Sequence, residues 1–148
     1  MPYCNPLRSR GPMRKLDSGV VPMNILIADD KRHMRRVLRS LIEGHEGWEV
    51  CAEAADGVQA VNRAKQFQPD LIILDLAMPE LNGIEAAGQI SQALPGVPIL
   101  IFTLYASPQI EREAEKVGVQ RVISKSTGYM LVPAIEEAWA QSHHQKAV

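Results

Sequence analysis

The chain has 148 residues, of which 46% are hydrophobic, 22% charged and 5% aromatic, with 16 Lys and Arg against 17 Asp and Glu for a formal net charge of -1. This length provides one domain that buries roughly two-thirds of its unfolded surface, and the composition excludes a disordered or fibrous chain. No apolar run is long enough for a membrane span. Two cysteines, Cys4 and Cys51, cannot build a disulfide framework, and no signal core precedes a cleavage-like site, so a reducing cytoplasm is the expected compartment.

Residues 1 to 22 hold Arg8, Arg10, Arg14 and Lys15 against Asp17, and are broken by Pro2, Pro6, Gly11, Pro12, Gly19 and Pro22. With no helical or alternating apolar period they read as an irregular basic arm, more simply a passenger ahead of a start at Met23 than a docking segment. The arm carries a net charge of +3, and the remaining chain, with 12 basic and 16 acidic residues, carries -4. Four scattered basic residues make no nucleic-acid footprint, so no direct DNA binding and no membrane contact are expected of this chain.

From Met23 onward, short apolar runs alternate with amphipathic stretches. The runs are Ile25 to Ala28, Trp48 to Ala52, Leu71 to Leu74, Val97 to Phe102 and Val119 to Ile123, and their spacing fits a strand, a three-turn helix and two short loops each time. The first, third and fourth are apolar throughout, as in parallel strands covered on both faces; the second and fifth contain polar residues and suit sheet edges. The first helix, ending at Gly44, turns Met34, Val37, Leu38, Leu41 and Ile42 inward and Arg32, Arg35, Arg36 and Arg39 outward. Asp56 caps a second helix with Val58, Val61 and Phe67 inward, ending before Pro69. A third runs from Gly83 to Leu94. Ser107 and Pro108 open a fourth that ends at Gly118. The fifth, Tyr129 to Gln141, buries Leu131, Ile135 and Ala138, and residues 143 to 148 are left as a tail. Strict alternation of these units predicts an α/β fold with a doubly wound, five-stranded parallel sheet.

In such sheets the ligand site lies beyond the carboxyl ends of the strands. Strand one ends in Asp29-Asp30, strand three in Asp75, strand four in Thr103 and strand five in Lys125. Each has an ordinary explanation taken singly, and Asp30 in particular suits the N-cap of the next helix. Strand two is the internal control, because its acidic end, Glu53 to Asp56, is assigned to a loop and a helix cap. Three carboxylates within about 5 Å of one another repel by roughly 3 kcal/mol per pair at an effective dielectric near 20. A divalent cation relieves that repulsion, and an all-oxygen site suits Mg2+ or Mn2+. Thr103 and Lys125 then supply a hydrogen bond and a positive charge for a phosphoryl group, with one Asp as the nucleophile.

The stretches Ile25 to Asp30, Leu71 to Glu85 with Met78-Pro79 and Gly83, Phe102-Thr103 and Ser124-Lys125 resemble the receiver domain of bacterial two-component response regulators. The resemblance covers residues 23 to 142 and implies a flavodoxin-like (βα)5 three-layer sandwich with strand order 2-1-3-4-5. It implies that Asp75 accepts a phosphoryl group from a sensor histidine kinase or a histidine phosphotransfer protein, and that Asp29, Asp30, Asp75 and the main-chain carbonyl of Ala77 hold Mg2+. Such a chain assists its own phosphorylation and dephosphorylation and is not otherwise an enzyme. Its readers would be a downstream protein or a second copy, contacted through the fourth helix, fifth strand and fifth helix.

Three departures stand out. Val122 occupies the position three before the Lys where receivers usually carry Tyr or Phe, which leaves Tyr105 as a candidate substitute. Ser126 follows Lys125 where many receivers have proline, so a cis peptide is not implied there. Lys125-Ser126 with Thr103-Leu104-Tyr105 is closest in style to the receivers of LuxR-type regulators, yet no helix-turn-helix follows before Val148. Two other readings are an aspartyl-phosphate hydrolase of the haloacid dehalogenase type and an unphosphorylated docking module. Asp75-Leu76-Ala77 lacks the second acid of such hydrolases. Trp139 is read as partly packed and Cys51 as inert core. His33, His45, His143 and His144 have no evident ligand companions.

Overall fold

The structure is a computed structural model that describes residues 22 to 146, with side chains to residue 142. The basic arm, apart from Pro22, and the side chains of His143 and His144 lie outside the described residues. The elements in chain order are β1 (Met23–Ala28), α1 (Arg32–Glu43), β2 (Trp48–Ala54), α2 (Gly57–Phe67), β3 (Leu71–Leu74), α3 (Gly83–Ala93), β4 (Ile99–Thr103), α4 (Pro108–Lys116), β5 (Arg121–Ser124) and α5 (Leu131–Lys146). A short 3-10 segment, Lys125–Met130, joins β5 to α5. All strand pairs are parallel, in the order β2-β1-β3-β4-β5. The polar-containing strands are therefore the edges and the apolar ones the interior.

Alternation along the strands divides the core in two. Leu26, Ile72, Leu74, Ile99 and Ile101 pack under α2, α3 and α4, against Ala60, Ala64, Ala86, Ala87, Ile90 and Ala114. Ile25, Ile27, Leu71, Ile73, Leu100 and Phe102 pack under α1 and α5, against Leu38, Ile42, Leu131, Ala134, Ile135 and Ala138. Cys51 is buried and Trp139 is packed against the second cluster, as expected. The caps expected at Asp56 and Ser107 are present, Asp56 accepting from the Gln59 amide and Ser107 from the Ile110 amide ahead of Pro108, and Asn82 and Glu85 add a capping box at the start of α3.

Several boundaries and faces differ from expectation. β5 starts at Arg121 because Val119 is used to close α4: its amide bonds the Ala114 carbonyl at 3.0 Å across Gly118, whose φ is +100°. α5 starts at Leu131 and continues past residue 142 to Lys146, so the expected tail is helical almost to its end; no Gly or Pro follows Pro133 to stop it. Val58 is exposed. On α1 only Leu38 and Ile42 are buried, while Val37 and Leu41 stay 46% and 41% exposed. Arg35 and Arg39 do not face solvent as predicted. They pack over β2, where Glu53 receives the Arg35 Nε at 3.0 Å on one oxygen and the Arg39 Nε and Nη2 at 2.9 and 2.7 Å on the other.

A bulge in β2 makes this pairing available. Ile25 is opposite Val50, but Leu26 is opposite Ala52, so Cys51 is the extra residue. Cys51 and Ala52 both join the cluster under α2, and the alternation resumes with inverted phase. Glu53, assigned from the sequence to a loop, is thereby strand residue and faces α1. Burial alone would raise the Glu53 carboxyl, but the hydrogen bonds and charges of Arg39 and Arg35 outweigh it and hold Glu53 below the usual glutamate range. A lowered folded value means stability present above the ordinary glutamate range and lost as pH falls through the folded value. Glu53→Gln should therefore cost about 1–2 kcal/mol at neutral pH, read as a lower melting temperature. The difference from the parent should close in strong acid.

Candidate functional site

The main chain at the carboxyl ends of β1 and β3 brings the acidic residues together. The Asp75 amide bonds the Ala28 carbonyl at 2.9 Å and the Asp29 amide bonds the Ala54 carbonyl at 3.0 Å, so the parallel ladders extend one residue past the strands. The carboxylates of Asp29, Asp30 and Asp75 then offer oxygens that all lie within 4.8 Å of one another. Asp29 and Asp75 are buried and Asp30 is exposed. The start of α1 is not capped by Asp30. Its N-cap is Lys31, without a side-chain cap, and the Lys31 amide instead donates to Asp29 Oδ1 at 2.9 Å.

Lys125 reaches this cluster from the far side of the sheet. Its buried ammonium donates to Asp29 Oδ2 at 2.7 Å and lies 3.4 Å from Asp75 Oδ2, bridging the two carboxylates. Three carboxylates and one ammonium leave a local charge of -2, which one divalent cation would balance. Burial raises the Asp75 carboxyl above the usual carboxylate range; the Asp29 charge adds to this, and Lys125 offsets part of it.

Thr103 is fully buried at the end of β4, and its hydroxyl accepts from the Tyr105 amide at 3.1 Å. Tyr105 itself is 62% exposed. Ala77 is exposed in the loop after β3, and its carbonyl takes no hydrogen bond among the described residues. That loop folds back tightly, with the Gly83 amide bonding the Leu76 carbonyl at 2.8 Å. A Cβ on Gly83 would run into the Asp75 carbonyl, so glycine there is what lets α3 begin against the acidic strand end. Val122 is half-buried and lines a groove of about 700 Å³ between α4, β5 and α5, on a different flank from the carboxylates. No cis peptide occurs among the described residues, at Lys125-Ser126 or elsewhere.

Asp29, Asp30, Asp75 and Lys125 thus meet at one place, with Tyr105 exposed beside Thr103 and Val122 on another flank. The Arg35–Glu53–Arg39 group was not foreseen. Its only sequence signal was the four-residue spacing of the two arginines, which puts them on one side of a helix.

Residues 25–135 match the response regulator receiver domain family. The chain belongs to that family. It is 35% identical over 129 residues to the transcriptional regulatory protein PdtaR of Mycobacterium tuberculosis, a match that covers 86% of this chain and 62% of PdtaR. A LuxR-family two-component response regulator from Aurantimonas superposes with a TM-score of 0.78 at 35% identity, over 81% of this chain and 86% of that one. The CheX-CheY-BeF3-Mg2+ complex of Borrelia burgdorferi gives a TM-score of 0.67 at 28% identity, over 74% and 81%. These matches confirm the receiver fold and the likeness to LuxR-type regulators, and give no support to the hydrolase reading. Among the described residues no helix is long and apolar enough to cross a membrane.

The raised Asp75 carboxyl sets a pH dependence. Because the folded value lies above the unfolded one, stability falls as pH rises through that window. In chelator-treated protein, Asp75→Asn should raise the melting temperature by a few degrees at neutral pH. The gain should shrink as pH falls and disappear below about pH 3, where the carboxyl is protonated in both states.

Proposed function

We propose that the chain is a phosphoacceptor switch of a two-component or phosphorelay system acting in the cytoplasm, with residues 23 to 142 as the receiver, preceded by the arm of residues 1 to 22. One observation carries the reading: three carboxylates share a space narrow enough for one ion, and the Lys125 ammonium bridges two of them. In the proposed reaction an Asp75 carboxylate oxygen attacks the phosphorus of a phosphohistidine on a sensor kinase or phosphotransfer protein. The P–N bond breaks, and the histidine leaves with the electron pair.

Asp29, Asp30, Asp75 and the Ala77 carbonyl are the residues that would hold Mg2+ or Mn2+, and they fit such an ion as an all-oxygen set with an excess of negative charge. When bound, the ion supplies Lewis-acid charge stabilisation to the phosphoryl oxygens. The Borrelia burgdorferi neighbour, solved with beryllofluoride and Mg2+, supports both choices. Lys125 keeps its place beside Asp75 and meets a phosphoryl oxygen, and Thr103 donates its hydroxyl to another.

To do so Thr103 gives up its present role. Its hydroxyl now holds the Tyr105 amide, so turning toward the phosphoryl group releases the loop between β4 and α4. The resulting movement would alter the face of α4, β5 and α5, where an unidentified downstream protein or a second copy binds. Moving such an equilibrium from 1:99 to 99:1 takes roughly 5.5 kcal/mol, within reach of several charge-assisted hydrogen bonds. Val122 leaves no inward-turning ring on β5, so Tyr105 is the aromatic available to report the switch.

Incubation with acetyl phosphate and Mg2+, followed by intact mass, should add about 80 Da to the wild type and nothing to Asp75→Asn, the increment of a covalent aspartyl phosphate. An adduct on both proteins would refute Asp75 as acceptor, and steady turnover of unrelated phosphate esters would favour a hydrolase. Titration with beryllofluoride and Mg2+ under NMR should move amide signals from Thr103 through α4 and β5. Shifts confined to the carboxylate pocket would reject the switch.

A further inference from the structure

The acidic pair is held from behind by a group that belongs to neither the carboxylates nor the phosphoryl contacts. Asp29 is almost wholly buried, and each of its hydrogen-bonding handles is engaged. Its amide bonds the Ala54 carbonyl at 3.0 Å, Oδ1 receives the Lys31 amide at 2.9 Å, and Oδ2 receives Lys125 at 2.7 Å. Its carbonyl takes the Arg35 guanidinium, Nη1 to oxygen 2.7 Å. That carbonyl and the amide of Asp30 share one rigid peptide plane. Holding the oxygen therefore sets the orientation from which Asp30 projects. Besides the bond from the Lys31 amide to Asp29 Oδ1, which spans Asp30, little else fixes it: among the described residues its carboxylate has no hydrogen-bond partner, and the adjoining N-cap, Lys31, makes no side-chain cap.

We propose that Arg35 is a positioning residue for the metal site, fixing the Asp29-Asp30 peptide through the Asp29 carbonyl while Glu53 anchors its guanidinium. This rests on the reading of Asp29, Asp30 and Asp75 as the ion site. The anchoring is double-sided. Glu53 spends one oxygen on Arg35 Nε, at 3.0 Å, and the other on Arg39, at 2.9 and 2.7 Å. Both arginines are mostly buried and tie α1 to β2, but only Arg35 also reaches the Asp29 carbonyl. Arg39 turns its remaining nitrogen to Glu43 at 3.4 Å. With Glu43 beside Arg39, the two arginines are matched by two glutamates, so Arg35 acts on the site through geometry and not through an added positive field. Partners that orient metal ligands from outside the coordination shell commonly change affinity by one to two orders of magnitude.

The pair of arginines supplies its own control. Mn2+ binding to the full-length chain is followed by the EPR signal of the free ion, with melting temperatures recorded in parallel without metal. Arg35→Met should weaken Mn2+ binding about tenfold, and Arg39→Met should remain within about twofold of the parent. Both should lower the melting temperature, since each removes half of the clamp on Glu53. If Arg35→Met does not fold, Arg35→Gln carries the same expectation, being too short to span the carbonyl and Glu53 together. Parental affinity in the Arg35 variant, or an equal loss in Arg39→Met, would overturn the proposal while leaving the ion site intact. A parent chain that takes up no Mn2+, or an Asp30→Asn variant that binds it as the parent does, would remove the ion site itself.

Discussion

Everything at the carboxyl edge of the sheet follows from like charges being forced together by main-chain geometry. Two parallel ladders, each carried one residue beyond its strand, place Asp29 and Asp75 side by side, with Asp30 next in the chain. Carboxylates at this separation repel by roughly 3 kcal/mol per pair in an environment of dielectric near 20. The protein carries that cost because the strands behind the site are anchored by fully buried Ile25, Leu26, Ile27 and Leu71 through Leu74. Lys125 relieves part of it. What remains is a preference for added positive charge.

The same edge is braced by a second polar group set one strand further out. A single extra residue at Cys51 reverses the facing of β2, and Glu53 turns under α1 to be claimed by two arginines. Most of an amphipathic helix is ordinarily held by its apolar stripe, but here the stripe narrows to Leu38 and Ile42, with charged side chains covering the β2 side. Packing of this helix and orientation of the acidic turn are therefore linked through one guanidinium, and a change in either is felt by the other.

On the opposite flank the arrangement is looser. Thr103 is buried while Tyr105, two residues on, stands in solvent, and the hydrogen bond between them joins the end of β4 to the exposed turn that follows it. Beside it, the small side chain of Val122 leaves the groove between α4, β5 and α5 open. In the proposed switch, capture of the Thr103 hydroxyl would act on this exposed turn and the surface beyond it.

Much of this was legible in the amino-acid order. Unbroken apolar runs marked the interior strands, because a strand covered on both faces has no polar position to spare. Asp29, Asp30, Asp75, Thr103 and Lys125 could be picked out because strand ends in such sheets share one rim. Caps at Asp56 and Ser107 depend on neighbours three residues away and so needed no tertiary information. What the order of residues could not disclose was the phase of β2, since a bulge is set by pairing with β1 and not by any local preference of Cys51. With that phase hidden, Glu53 looked like a loop residue and Arg35 and Arg39 like solvent-facing charges. Their meeting is decided by how helix and sheet pack, as is the choice of which carboxylate Lys125 holds most closely, because both join residues far apart in the chain that only the assembled fold brings within hydrogen-bonding reach.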